Sequence, residues 1–169
     1  MTQNSNASRR TLLVAGVASV VPLCLGAERA SAATADPFVG SRWRKLTDAE
    51  WKKRLSPAAF DVLRRDGTEA PGSSPLNDEY GRGAFVCGGC GLPLFKSEWK
   101  FHSGTGWPSF YTAIQTNIRT KRDTQLLEVR TEYHCARCLG HQGHIFNDGP
   151  KPTGLRYCND GVSLRFIPS

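Results

Sequence analysis

The sequence predicts a mainly β protein, built from short antiparallel strands with two short helices on their N-terminal side. Three observations lead there. Beyond residue 68 the apolar residues alternate with polar ones, as in Val162, Leu164 and Phe166 against Ser163 and Arg165. Turn-forming stretches such as "NDGPKPTG", Asn147 to Gly154, separate these runs. Two C-x-x-C pairs, Cys87/Cys90 and Cys135/Cys138, stand 44 residues apart and would pin distant strands at one point.

The chain has 169 residues, 39% of them hydrophobic, enough for one domain with its own core. Net charge is +7. The basic residues are scattered rather than blocked, which argues against a nucleic-acid partner.

"SRRTLL", Ser8 to Leu13, sets a twin arginine directly before an apolar run that ends at Leu25. The run is too short for a comfortable membrane span. Ala30 and Ala32 then supply a small-x-small cleavage signal. Residues 1–32 therefore read as a twin-arginine export signal, with an ordinary export signal or an uncleaved anchor as the alternatives. Pro22 and Leu23 make Cys24 a poor lipid-attachment site. Removal of the signal takes Cys24 with it and leaves a charge of +5 and five cysteines. An odd number in an exported chain implies a free thiol. The expected destination is the periplasm, with no membrane partner after cleavage.

Residues 33–45 are small or polar and read as a linker; the domain is expected over 46–169. Thr47 with Glu50 forms a capping box, and Trp51 and Leu55 share one helical face. Ser56-Pro57 opens a second helix with Phe60, Val62 and Leu63 inward, stopped at Gly67. "AFVC" follows as a strand. "LLEVRTEYH" is expected to turn Leu127, Val129, Thr131 and Tyr133 inward and Glu128, Arg130, Glu132 and His134 outward. "GHIF", "LRYC" and "VSLRFIP" complete the strands.

Each C-x-x-C turn aims two thiolates at one point, and two turns fill a tetrahedral shell. A filled shell is structural and leaves no open position for catalysis. Zinc is the first choice, one ion per chain. Iron in a rubredoxin-like site, or disulfides in an oxidising compartment, are the alternatives.

Cys158, in "RYCND", is the thiol left over. A lone cysteine is usually an inert small hydrophobe. Here its neighbours in the sequence are Arg156, the pair His141 and His144, and Trp107 on a Gly/Pro loop. A cation, a proton donor and an aromatic wall are what a thiol-based active site needs.

Taken together, "RRDGTE" (64–69), "CGGCGLPLF" (87–95), "KFHSGTGWPSF" (100–110), "VRTE" (129–132), "CARC" (135–138), "HQGHIFNDGP" (141–150), "TGLRYC" (153–158) and "VSLRFIP" (162–168) resemble the methionine-R-sulfoxide reductases of the MsrB type. The likeness covers residues 47–169. It implies two small antiparallel sheets, a β-tent, around a structural zinc held by Cys87, Cys90, Cys135 and Cys138. It implies Cys158 as nucleophile, His141 and His144 as the acid pair at the sulfoxide oxygen, and Trp107 as the wall for the methyl group. Phe110, Arg156 and Asp160 complete the expected substrate contacts. The implied product on the enzyme is a Cys158 sulfenic acid, recycled by a small thiol or a thioredoxin-like reductant. The implied substrates are oxidised proteins or peptides, met by a monomer.

Four positions depart from the commonest pattern of that family. Thr105 stands where many members carry a recycling cysteine, and His102 stands for Asp. Gln142 stands for Leu, and the usual Asn two after the nucleophile is Asp160. A non-catalytic zinc module or a zinc-ribbon nucleic-acid binder would need neither Cys158 nor the two histidines. A zinc hydrolase would need an open coordination position.

Overall fold

The computed structural model describes Met1, residues 36–124 and residues 128–169. The expected export signal lies, Met1 aside, outside the described residues, as does Leu127. Asp36–Ser169 forms one unit.

Thr47 accepts the Glu50 amide and Glu50 returns the bond, so α1 (Asp48–Lys52) starts at its capping box. Ser56 caps α2 (Pro57–Arg65), with Pro57 in the first turn. α2 buries Ala59, Phe60, Val62 and Leu63. Its end falls on Asp66, which adopts the left-handed conformation at φ 56° and pairs with Lys121 at 3.0 Å. Gly67 follows that cap rather than forming it.

Residues 36–45 do not behave as a linker. Arg42–Lys45 is a 3-10 turn, and Trp43 stacks on Trp51 with ring centroids 5.7 Å apart. Arg44 binds both Asp36 and the Ala136 carbonyl. One aromatic and one arginine anchor a stretch whose average composition is polar. Residues 33–35 lie outside the described residues.

β1 (Gly83–Cys87) pairs with β2 (Pro93–Lys96) and β9 (Leu164–Pro168) in a three-stranded sheet. A six-stranded sheet runs β3 (Lys100–Phe101), β4 (Ser109–Phe110), β8 (Arg156–Asn159), β7 (His141–Phe146), β6 (Arg130–Cys135), β5 (Ile118–Asp123). Every pairing is antiparallel. The mainly β, two-sheet expectation holds.

Rings from both sheets meet in the core. Phe95 stacks on Phe110 with centroids 4.1 Å apart, and Tyr133 and Tyr157 pack edge-on against Phe95. Offset and edge-to-face pairs of this kind add about 0.5–1.5 kcal/mol each beyond their buried area.

The alternation expected along β6 is only partly realised. Tyr133 is buried, but Val129 is 52% exposed and Thr131 is also exposed. Glu132, expected to face water, is 2% exposed. The register explains it. Glu132 lies opposite Lys121 on β5 and its neighbour strand β7 carries His141, so the buried face has polar partners.

Candidate active site and metal centre

β8 brings Cys158 beside His144 on β7 and Ser109 on β4 through the sheet register. Gly143 lets β7 approach this closely, since a Cβ there would collide with the Cys158 carbonyl oxygen. The loop before β4 turns on two left-handed glycines, Gly104 at φ 75° and Gly106 at φ 91°. This loop carries Thr105 and Trp107 over the thiol.

The result is a small, partly open cleft of about 110 Å³. Its walls include Trp107, His144, Cys158 and Asp160, with Arg130 and Phe146. Cys158 is half-buried among mostly buried neighbours. Burial pushes its thiol up, and the Asp160 charge adds to this. Arg156 pulls the other way by charge and hydrogen bond, and so does a hydrogen bond from Thr105.

The two histidines sit differently. His144 reaches the cleft, and its Nε2 lies 2.8 Å from Asp123 Oδ2. Burial lowers its pKa, against the pull of Asp123, so the neutral ring is favoured. His141 is 1% exposed and lies behind the wall. Its Nδ1 is 3.0 Å from Glu132 Oε1 and its Nε2 is 3.7 Å from Asp160 Oδ2. Burial works against the Glu132 carboxylate. Hydrogen bonds from His141 and Lys121 outweigh that and hold it below the usual carboxylate range.

Trp107 donates its indole N–H to the Glu69 carbonyl at 3.1 Å, which fixes the ring as a wall. Asp160 is 4% exposed and accepts the Glu69 amide at 2.9 Å. Two expected substrate contacts are corrected. Phe110 is fully buried and stacked on Phe95, because strand alternation turns it away from Trp107 and into the core. Arg156 is 7% exposed and does not line the cleft. Asp148 grips it at 2.8 and 2.9 Å and it lies over the Phe146 ring, and its charge favours the Cys158 thiolate. Sequence reasoning missed Glu69, Asp123 and Glu132 as supports, because a lone carboxylate carries no spacing signal.

The sulfurs of Cys87, Cys90, Cys135 and Cys138 all lie within 4.8 Å of one another. Cys87 and Cys138 are 3.6 Å apart and Cys90 and Cys135 3.5 Å. A tetrahedral zinc with bonds of about 2.3 Å sets its sulfurs about 3.8 Å apart, so the cluster fits. The set has no carboxylate or imidazole and is closed, which suits a structural ion.

A SelR domain model matches residues 55–168. The peptide methionine sulfoxide reductase MsrB of Thiobacillus denitrificans is 50% identical over 123 residues, 72% of this chain and 93% of that protein. The enzyme of the same name from Methanosarcina barkeri is 50% identical over 71% of this chain and 85% of its own length. That of Leptospira interrogans is 46% identical over 71% and 92%. The chain belongs to the SelR family, the MsrB-type peptide methionine sulfoxide reductases.

One departure from the commonest MsrB pattern, Gln142, is a partner in a buried network that also holds the Asn159 amide. Tyr133 donates to Asn159 Oδ1 at 2.6 Å, and Asn159 Nδ2 donates to Ser163 Oγ at 2.9 Å. Ser163 Oγ lies 3.1 Å from Gln142 Oε1, and Gln142 Nε2 points at Cys87 Sγ at 3.5 Å. A buried amide needs such partners, and each of these two has them. His102, another departure, is exposed and belongs to a neighbouring cleft with Lys100 rather than to the one holding Cys158. Among the described residues no helix is long and apolar enough to cross a membrane.

Proposed function

We propose that this MsrB-type reductase acts on the R epimer of methionine sulfoxide, in proteins and peptides, with Cys158 as nucleophile. The observation that carries the assignment is the half-buried Cys158 thiol in a cleft walled by Trp107, His144 and Asp160, with the Arg156 charge favouring its thiolate.

A sulfoxide is polar at oxygen and apolar at its methyl group. Trp107 offers the apolar face, and the His144 and Asp160 side offers the polar one. Attack on the sulfoxide sulfur requires the thiolate, which Arg156 and Thr105 stabilise. The oxygen leaves the substrate sulfur and bonds to the Cys158 sulfur. The thiol's proton is retained on the resulting sulfenic acid, and methionine departs with the electron pair. His144, with His141 behind it, binds the oxygen and supports its protonation.

Cys87, Cys90, Cys135 and Cys138 would hold one zinc per chain. The ion would tie β1 to β6 and take no part in the reaction. Thr105 beside Cys158 cannot resolve a sulfenic acid, and the other cysteines of the described residues lie in the four-cysteine cluster. Turnover therefore needs an outside thiol, either small or carried by a thioredoxin-like protein, through a mixed disulfide. Residues 1–32 support export by the twin-arginine route and work in the periplasm as a monomer.

The test is steady-state turnover of separate R and S peptide epimers with dithiothreitol, for the wild type and Cys158→Ser. The wild type should reduce the R epimer only and C158S neither. Residual R-epimer turnover by C158S above about 1% of wild type would remove Cys158 from the chemistry, because an alcohol cannot form the sulfenic acid.

A further inference from the structure

We propose that Asp160, in its protonated form, is the acid that delivers a proton to the sulfoxide oxygen. This rests on the assignment of sulfoxide reduction to the Cys158 cleft. The side chain commonly found at this position in the family is an amide, which has no proton to transfer at neutral pH.

Asp160 lines the same cleft as Cys158 while remaining 4% exposed. Its Oδ1 is occupied by the Glu69 amide. Its Oδ2 faces His141 Nε2 across 3.7 Å, longer than a hydrogen bond. Glu132, ion-paired to Lys121 at 3.1 Å, stands at the other imidazole nitrogen. Among the described residues no donor reaches Oδ2 within hydrogen-bond distance. A buried carboxyl oxygen without a donor suits the protonated acid better than the ionised carboxylate.

The charges around Asp160 favour the same state. Burial raises its pKa most, the Glu69 amide and His141 lower it, and the Glu69 carboxylate raises it again, to a net value of about 6. That carboxylate is fixed in place by the amides of Gly161 and Val162. Across the cleft stand Cys158, His144 and Arg130. An ionised Asp160 also disfavours the Cys158 thiolate. Protonation of this one side chain thus creates the donor and eases ionisation of the nucleophile.

The step balances. The substrate S–O bond breaks, an S–O bond forms on Cys158, and the methionine sulfur leaves with the electron pair. Asp160 gives its proton to the oxygen, and the proton released by the Cys158 thiol passes to solvent in the cleft, from which Asp160 is protonated again.

The experiment is single-turnover formation of methionine from an R-sulfoxide peptide, without reductant, across pH 5 to 8.5. Wild type and Asp160→Asn are compared on the full domain with zinc bound. Asparagine keeps the shape and the Glu69 contact. Iodoacetamide alkylation of Cys158, followed over the same range, reports the thiolate alone. Alkylation should climb with pH in both proteins. The wild-type reduction rate should level off above about pH 6, because the gain in thiolate is cancelled by loss of the acid. D160N should climb about tenfold per pH unit over that range and be at least about tenfold slower than wild type at pH 6. Two profiles of the same shape, or a wild-type plateau matched by an alkylation plateau, would overturn the proposal. A wild type that forms no methionine at any pH would overturn the reductase assignment, and this proposal with it.

Discussion

Glu132→Gln tests how the buried polar layer behind the cleft is held together. Glu132 is 2% exposed, with His141 Nδ1 at 3.0 Å and Lys121 Nζ at 3.1 Å. The substitution keeps the shape and removes the charge. A buried hydrogen bond to a charged group contributes about 1.5–3 kcal/mol, and a half-exposed lysine pair adds at most about 1 kcal/mol. The expected loss at pH 7 is therefore about 2–3 kcal/mol. The folded Glu132 pKa lies below its ordinary value of 4.5. Its stabilisation is thus complete above that ordinary value and disappears as pH falls through the lower folded value. Urea denaturation of the zinc-loaded protein, stepped from pH 7 to the lowest pH at which both proteins fold, reads this directly. The gap between wild type and E132Q should close as the acid end is approached. A gap that stays constant with pH, or never exceeds about 0.5 kcal/mol, would refute the role given to this carboxylate.

Phe110→Leu should lower stability by about 1–1.5 kcal/mol through lost stacking on Phe95, with KM for the R-sulfoxide peptide unchanged; a KM effect without destabilisation would return Phe110 to the substrate site. Cys135→Ser should lose the metal, measured by elemental analysis, together with a drop in Tm, since metal affinity and folding are linked. Metal retained at one ion per chain in C135S would contradict the four-sulfur shell. Thr105→Cys should yield an intramolecular disulfide to Cys158 after a single turnover and raise thioredoxin-dependent rates, because Thr105 lies close enough to Cys158 to act on its thiol. Peptide mapping that finds only the sulfenic acid in T105C would show the loop cannot close.

Spacing made parts of this molecule legible before any coordinates. The C-x-x-C turns dictate where four thiolates point, and the Thr47–Glu50 box dictates where α1 begins. Cys158 could be singled out because every other cysteine of the domain was committed elsewhere. The failures have one physical origin, which is long-range packing. Period two gives the face of a side chain but not whether that face meets water, so Glu132 was assigned outward. The family resemblance suggested Phe110 as a substrate contact, whereas strand packing sends it into the core against Phe95. Arg156 is claimed by Asp148, eight residues earlier, across a turn that composition does not reveal. Polar composition hid the Trp43–Trp51 stack that fastens residues 36–45.

The central claim is that Cys158 receives the sulfoxide oxygen. Mass spectrometry of the mature enzyme after one equivalent of R-sulfoxide peptide, with a dimedone trap and no reductant, tests it most directly. One methionine per enzyme and a dimedone adduct confined to Cys158 is the predicted result. Methionine formed with Cys158 still alkylatable as a free thiol would contradict it, as would an adduct or disulfide on one of the four clustered cysteines.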